Sequence, residues 1–265
     1  MEGLNGALPP GAFPPRAQAL ARLTAQEWDL VVMGGGITGA GVAQQAAAQG
    51  WRVLLVEQRD FAWGTSSRSS KLVHGGLRYL KEGDLKTTLH SVRERNRLLH
   101  EAPGLVEPQS FLFADCAGRK PGRWLMQAGL ALYDLMAGQR SHFHADLATT
   151  QMLAPGLAPP GLRGALVFQD AKTDDARLVL RVLQEARRLG ATTLNYMAAS
   201  GLQLEQGRVA GLELQDALEG QRYTVRARCV VNATGAWADR LRTGTGARPL
   251  LRPLRGSHLV VPFWR

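Results

Sequence analysis

A chain of 265 residues holds one large domain or two small ones at about 150 residues per domain. Apolar residues make up 45% and charged residues 20%; this is globular composition, which excludes a disordered chain and a coiled coil. Lys and Arg number 32 against 22 Asp and Glu, a formal charge of +10, yet the basic residues stand singly or in pairs such as Arg187-Arg188, with no basic block to mark a nucleic-acid tail.

Residues 1–27 carry two Pro pairs, Pro9-Pro10 and Pro14-Pro15, around a short Ala/Leu stretch from Ala17 to Leu23. The pattern predicts a loose, flexible leader with a turn or two of helix. Trp28–Met33 is a short apolar run closed by glycines, the signature of a buried strand ending in a tight turn. Ile37–Gln49 is Ala-rich and predicts a helix stopped by Gly50. Arg52–Val56 is a second buried strand with Glu57 at its end. Strand, glycine turn, helix, strand is a βαβ unit, whose crossover makes the two strands parallel. Leu85, Leu89, Val92 and Leu99 space an amphipathic helix over 85–101. Trp124–Met136 is apolar almost all round and predicts a buried helix, too short to span a bilayer. Leu147–Arg163 is loop-rich. Asp174 caps a helix over 175–189 that Gly190 stops. Gln206-Gly207 between two apolar runs reads as a hairpin. Arg228–Asn232 is one more buried strand, with Cys229 packed inside it, and His258–Val261 has a strand pattern at the end of the chain.

Two cysteines, Cys116 and Cys229, cannot build a disulfide framework and fit a reducing compartment. No apolar run nears the roughly 18 residues that a spanning helix needs, and the N-terminus lacks the pattern of a secretory signal. The positive charge fits an Arg-rich solvated surface, or attraction to an anionic substrate, cofactor or membrane face.

Three motifs carry chemistry. Gly34, Gly36 and Gly39 form G-x-G-x-x-G between a predicted strand and a predicted helix, where backbone and helix N-terminus receive a diphosphate. Glu57, at the end of the second strand, can accept from ribose hydroxyls and repels a 2′-phosphate. The segment 64–80, GTSSRSSKLVHGGLRYL, is dense in hydroxyls and glycines. A nicotinamide enzyme has no need of it, whereas a larger ring must be held along a second loop. Residues 230–239, VVNATGAWAD, run a strand into bare backbone that can approach a ligand. His142-x-His144 has no acidic or Cys partner at ligand spacing, so no metal is assigned.

Together with DDARLVL (174–180) and RGSHLVVP (255–262), these segments resemble the FAD-dependent, quinone-linked glycerol-3-phosphate dehydrogenases, from about residue 28 to the last residue. The glycine turn and the 230–239 motif are shared with the wider glycine oxidase and D-amino-acid oxidase type. The resemblance is to the N-terminal half of family members about twice this length. It implies FAD held by Gly34, Gly36 and Gly39 at its pyrophosphate and by Glu57 at its ribose. Thr65, Ser66, Ser70, Lys71, His74, Gly75 and Gly76 would hold pyrophosphate or flavin, Gly235 would lie beside the cofactor, and Met197-Ala198 would contact adenine through its backbone. Arg78 and Tyr79 would face the substrate, and His258 would sit near the reacting carbon. Gln45 and Gln49 depart from the family, which commonly has an acidic residue and an Arg there.

Oxidising a secondary alcohol needs a base, for which His258 and His74 are the candidates. Arg78 suits a dianionic phosphate. The expected fold is α/β: a Rossmann-like FAD domain from 28–80 and 175–239, and an incomplete substrate-binding β-sheet region from 81–174 and 240–265, truncated at the C-terminus. The implied reaction takes sn-glycerol 3-phosphate to dihydroxyacetone phosphate with a membrane quinone as acceptor. The implied location is cytoplasmic, peripheral on the inner membrane face, as a possible homodimer with no nucleic-acid partner. Two other readings stand beside this one: a flavin oxidase of the D-amino-acid oxidase type, and a truncated FAD-binding fragment without activity.

Overall fold

The computed structural model describes residues 15–243 and 245–262. Its helices and strands run α1 Arg16–Leu23, β1 Leu30–Met33, α2 Ile37–Ala48, β2 Val53–Val56, β3 Leu72–Val73, α3 Leu77–Lys81, α4 Leu85–Glu101, β4 Val106–Cys116, α5 Arg123–Ala137, β5 Phe143–Asp146, α6 Leu147–Leu153, β6 Leu162–Thr173, α7 Asp175–Arg188, β7 Thr192–Leu194, β8 Met197–Glu205, β9 Arg208–Asp216, β10 Arg222–Arg226, β11 Val230–Asn232 and α8 Ala238–Thr243. They gather into two compact units, one of residues 1–68 and 176–265, the other of residues 69–175.

In the first unit a parallel sheet has the order β11-β1-β2-β7. Successive side chains of a strand point to opposite faces. Leu30, Val32, Val53 and Leu55 therefore pack against α2 and α7 through Ala40, Ala43, Ala47, Val179, Leu183 and Ala186. Val31, Met33, Leu54, Val56 and Leu194 face the other way, onto Leu212, Leu214 and Val225 of the antiparallel sheet β10-β9-β8 and onto Ala19 and Leu23 of α1. Burial on both faces is why β1 and β2 read as unbroken apolar runs; β11, expected as a buried strand, is half-buried at the sheet edge, with Asn232 exposed. The β8–β9 hairpin turns through Gln206 and Gly207, both at positive φ, 51° and 76°, as a two-residue turn requires.

Four further expectations need correction in this unit. The leader is not loose where it is described: α1 buries Ala19 and Leu23, because its Ala/Leu stretch finds an apolar sheet face to cover. Residues 1–14 lie outside the described residues. Cys229 is exposed, since β11 starts one residue later. His258–Val261 forms no strand; it is irregular and exposed, and among the described residues no strand pairs with it. Residues 240–262 cluster with the parallel-sheet unit rather than with the second region.

In the second unit β6 pairs antiparallel with β4 along their whole length, and β3 and β5 pair with the other edge of β6. The sheet expected here is thus present with four strands. Residues 69–80 belong to this unit, not to the first, because β3 joins its sheet. Helix α5 is not buried all round. Leu130, Tyr133 and Asp134 face inward, while Trp124 (73% exposed), Leu125 (70%) and Leu135 (78%) face outward, since only one stripe of a helix meets its neighbours. The loop-rich stretch 147–163 opens with α6, capped by Asp146 Oδ1, which accepts from Thr149 N at 2.8 Å.

Candidate functional site

A cavity of about 520 Å³ opens in the first unit at the carboxyl ends of β1, β2 and β11. Its floor is the β1–α2 turn: Gly34, Gly36, Ile37 and Thr38 line it. Gly34 takes φ +110°, and a Cβ there would stand 2.5 Å from Ala233 O, so this turn closes on β11 only without a side chain. Gly36 precedes the first helical residue, and Ile37 N donates to Ser66 Oγ at 3.0 Å. The following amides open the helix, where the helix itself offers them no acceptor. Glycine backbone, a helix N-terminus and the hydroxyls of Thr65 and Ser66 make a donor-rich wall suited to a diphosphate.

Glu57 enters the cavity from the end of β2. Gly35 N donates to its Oε2 at 2.8 Å and Arg59 N to its Oε1 at 2.9 Å. Two amides thus fix the carboxylate, and each oxygen keeps a lone pair for a hydroxyl. Met197 and Ala199 line the cavity from β8, next to Glu57, whose O accepts from Met197 N at 2.8 Å. Ala233, Thr234, Gly235 and Trp237 close the side of β11, and Trp63 lies 5.8 Å from Trp237, centroid to centroid. Arg59 and Arg68 stand over the Trp63 ring, at 4.0 and 4.9 Å. With Arg240 on the lining, the surroundings are cationic, which favours an anionic ligand.

The second unit holds a buried polar cluster. Asp170 Oδ1 accepts from Gly75 N at 3.0 Å, from Arg95 Nη1 at 3.3 Å and from Tyr133 OH at 3.5 Å. Arg95 Nη1 also donates to Tyr133 OH at 2.9 Å, and Nη2 to Asn96 Oδ1 at 2.8 Å. Burial, with the Asp170 carboxylate beside it, pushes the Tyr133 phenol well above the ordinary tyrosine range. A Cβ on Gly75 would stand 1.9 Å from Tyr133 Oη; that contact is the reason for glycine there. Asp170 Oδ2 lies 3.3 Å from His74 Nδ1, and the His74 side chain is 61% exposed. A carboxylate only accepts, so in this contact Nδ1 is the donor, and Nε2 is the ring nitrogen not directed to Asp170. His74 and Arg95 line a shallow cleft with His90, Ser91 and Glu94.

Of the residues named from sequence, Gly34, Gly36, Glu57, Thr65, Ser66, Met197 and Gly235 line the cavity. Gly39 packs α2 on the turn instead: a Cβ there would lie 1.9 Å from Gly34 O. Ala199, not Ala198, shares the wall with Met197, because alternate strand residues share a face. His258 is exposed on the irregular stretch after α8, and the cavity lining does not include it. Ser70, Lys71, His74, Gly75, Gly76, Arg78 and Tyr79 belong to the second unit. There Lys71 Nζ pairs with Asp175, whose Oδ2 also accepts from Ser69 Oγ at 2.7 Å. Gly76, at φ +87°, opens the short α3, where Arg78, 85% exposed, pairs with Glu82 at 3.2 Å. Sequence reasoning missed Trp63, Ala199 and Arg240 in the cavity, and Arg95, Tyr133 and Asp170 in the cluster. Trp63 and Arg240 directly adjoin quoted motifs; nothing in the local sequence marks Arg95 or Asp170 as buried. Among the described residues there is no group of three or more His, Cys, Asp or Glu able to hold a metal ion.

The model of the family described as FAD dependent oxidoreductase (DAO) matches residues 29–265. The chain is 39% identical to the aerobic glycerol-3-phosphate dehydrogenase of Bacillus subtilis (strain 168) over 250 residues, 92% of this chain and 45% of that protein. The protein of the same name in Staphylococcus aureus (strain USA300) is 39% identical over 241 residues, 89% of this chain and 43% of that one. The chain thus spans less than half the length of the curated relatives it matches. Among solved structures, the glycerol-3-phosphate dehydrogenase from Bacillus halodurans complexed with FAD superposes with a TM-score of 0.69 at 33% identity, covering 87% of this chain and 38% of that one. L-proline dehydrogenase from P. horikoshii superposes at 0.65 with 20% identity, over 83% of this chain and 56% of that one, a likeness of fold alone.

Proposed function

Because this chain belongs to the FAD dependent oxidoreductase (DAO) family, we propose that it carries the FAD site of an enzyme that oxidises sn-glycerol 3-phosphate to dihydroxyacetone phosphate and passes the electrons to a quinone. The observation that carries the reading is the convergence of the glycine turn, Glu57 and Thr65-Ser66 on one cavity. Its volume lies within the roughly 300–1,000 Å³ of small-molecule sites. Gly34, Gly36 and the amides opening α2 would hold the diphosphate, with Ser66 and Thr65 donating from across the turn. Glu57 would accept from the ribose hydroxyls, and Met197 and Ala199 would flank the adenine. The flavin, when bound, supplies the hydride acceptor that no side chain can provide.

His74, with Nδ1 directed to Asp170, has Nε2 available to take the hydroxyl proton of the substrate. Arg78 is free to leave Glu82, a weak exposed partner, for a phosphate that its guanidinium binds in two places. Tyr79 would line the substrate side, while Gly75 shapes the cluster beside His74, its N–H being given to Asp170. His258 is the other base candidate on this reading.

Membrane attachment through α5 belongs to the same proposal. Trp124, Leu125, Ala128, Ala131, Leu132 and Leu135 form one exposed apolar stripe, with Arg119, Lys120 and Arg123 near one end and Arg140 past the other. Apolar stripe and flanking cations suit an anionic bilayer surface. No helix among the described residues is long and apolar enough to cross a membrane.

Anaerobic titration of the FAD-loaded full chain tests the reading. Glycerol 3-phosphate should bleach the flavin absorbance while glycine and D-alanine leave it unchanged. Bleaching by an amino acid alone would place the chain with the oxidases of this fold, and no bleaching by either would refute the assigned substrate.

A further inference from the structure

Arg16, the first residue of α1, reaches the junction between β7 and β8. Its Nη1 donates to Asn195 O at 2.6 Å, and its Nη2 lies 2.9 Å from Asp216 Oδ2 and 3.5 Å from Tyr196 O. The Asp216 side chain is fully buried, and its Oδ1 accepts from Leu218 N at 2.8 Å. Packing of α1 on the sheet needs only Ala19, Leu20 and Leu23. A buried ion pair adds little net stability over apolar residues of the same size, because both charges must shed water. Its presence therefore points to placement of the chain rather than to cohesion.

What it places is a strained reversal stitched to the cavity. Tyr196 sits at φ +52°, a left-handed conformation that non-glycine residues rarely adopt. On either side of it the backbone is tied to Glu57 and Arg59: Glu57 N donates to Leu194 O, Met197 N to Glu57 O, and Tyr196 N to Arg59 O, at 2.8–2.9 Å. Glu57 and Met197 are adjoining parts of the cavity wall.

We propose that Arg16, with Asp216, is a positioning residue for the adenosine end of the cofactor cavity: it holds the Asn195–Tyr196 reversal and so keeps Met197 in register with Glu57. The inference rests on the FAD reading only for the identity of the ligand. The reversal, strained on its own, relaxes when the guanidinium is lost, and both walls drift with it. Helix α1 is then part of the cofactor site although none of its residues lines the cavity.

The test compares the full chain with Arg16→Met/Asp216→Asn, which removes both charges, leaves none unpaired and keeps an acceptor for Leu218 N. Amide hydrogen exchange and FAD affinity, by quenching of flavin fluorescence, are read on each. Protection of the Met197 and Glu57 amides should fall about tenfold while Leu54 and Leu55 hold theirs. The FAD dissociation constant should rise about tenfold, with the melting temperature of the FAD-free protein within about 3 °C of the parent. Should the double variant fail to fold, Arg16→Lys is read instead; one ammonium cannot serve Asn195 O and Asp216 together as the fork does, so the same two amides should lose protection. Unchanged protection at Met197 and Glu57 overturns the inference. So does unchanged FAD affinity in a folded variant of a parent that binds FAD. A parent that binds no FAD refutes the cofactor reading instead, and the exchange result still decides the role of Arg16.

Discussion

The two glycines at either side of the first helical turn should fail in opposite ways. A Cβ at Gly39 would lie 1.9 Å from Gly34 O and 3.1 Å from Gly34 C. These are backbone atoms of a turn already wedged against Ala233, so α2 must retreat by about 1.5 Å to reach ordinary contact. Ala gains up to about 1 kcal/mol in helix propensity, whereas overpacking of this kind costs about 1–3 kcal/mol and occasionally more. Neighbours that cannot rotate away put Gly39→Ala at the upper end, a net loss of about 2 kcal/mol, or roughly 5 °C in melting temperature for a chain of this size. At Gly36 the Cβ would meet only the Ser66 side chain, Oγ at 3.0 Å and Cβ at 3.8 Å, and that hydroxyl can turn aside. Gly36→Ala should melt within about 1 °C of the parent and instead lose FAD affinity about tenfold, since the methyl occupies the place of a phosphate oxygen and displaces a donor. Thermal melts of the FAD-free protein followed by circular dichroism, with flavin fluorescence titrations, read both effects. A Gly39→Ala protein that melts with the parent, or a Gly36→Ala protein that binds FAD as the parent does, would refute this account of the turn.

Three further outcomes are expected. Arg95→Met strands the Asp170 carboxylate in a dry cluster and should cost about 3–5 kcal/mol, read as a lower urea midpoint with loss of exchange protection at the Gly75 amide; an unchanged midpoint contradicts the cluster. At Asp216 and Asp134 burial raises the carboxyl pKa, but it is outweighed at Asp216 by the Leu218 amide and Arg16, and at Asp134 by His142 and Ser141, so both groups sit below the ordinary carboxylate value. The unfolded chain therefore binds protons that the folded one does not. Their stabilisation is complete above the unfolded value near about 4 and drains away as the pH falls toward the lower folded values. Urea midpoints from pH 6 to 3 should decline along that window, and Asp216→Asn should flatten the slope; a slope identical to the parent's would refute the assignment. Leu125→Glu/Leu135→Glu should abolish sedimentation with phosphatidylglycerol vesicles without shifting the melting temperature, whereas retained sedimentation would remove α5 from the membrane proposal.

Strands β1 and β2 were legible because they are buried on both faces, so Leu30–Met33 and Val53–Val56 carry an unbroken apolar signal, ended by Gly34 in the first and by Glu57 in the second. The cavity was legible through the glycine turn and Glu57, where one residue type serves one geometric need. Strands β4 and β6 gave no such signal: Pro108 interrupts the first, and Lys172 and Asp170 sit in the second among apolar residues. Burial of Arg95 and Asp170 is a property of their pairing across 75 positions, and no local pattern encodes a pairing at that range. Helix α5 misled for a related reason, since apolar composition tells what a surface would prefer to touch and not whether anything touches it. Arg16 follows the pair Pro14-Pro15, and its partner Asp216 lies 200 positions further along the chain, so no local pattern links them.

Strand β1 pairs with β2 from its own βαβ unit and with β11, whose partner residues Val31 and Val230 are 199 positions apart. At about 5–20 residues per second a ribosome takes about 10–40 s to deliver the second partner. Throughout that interval one long side of β1, made of Leu, Val and Met, offers unpaired amides and carbonyls. An edge of that kind invites association with other nascent chains, so the yield of native protein should rise when translation is faster or when a chaperone shields Leu30–Met33 until Val230–Asn232 arrives.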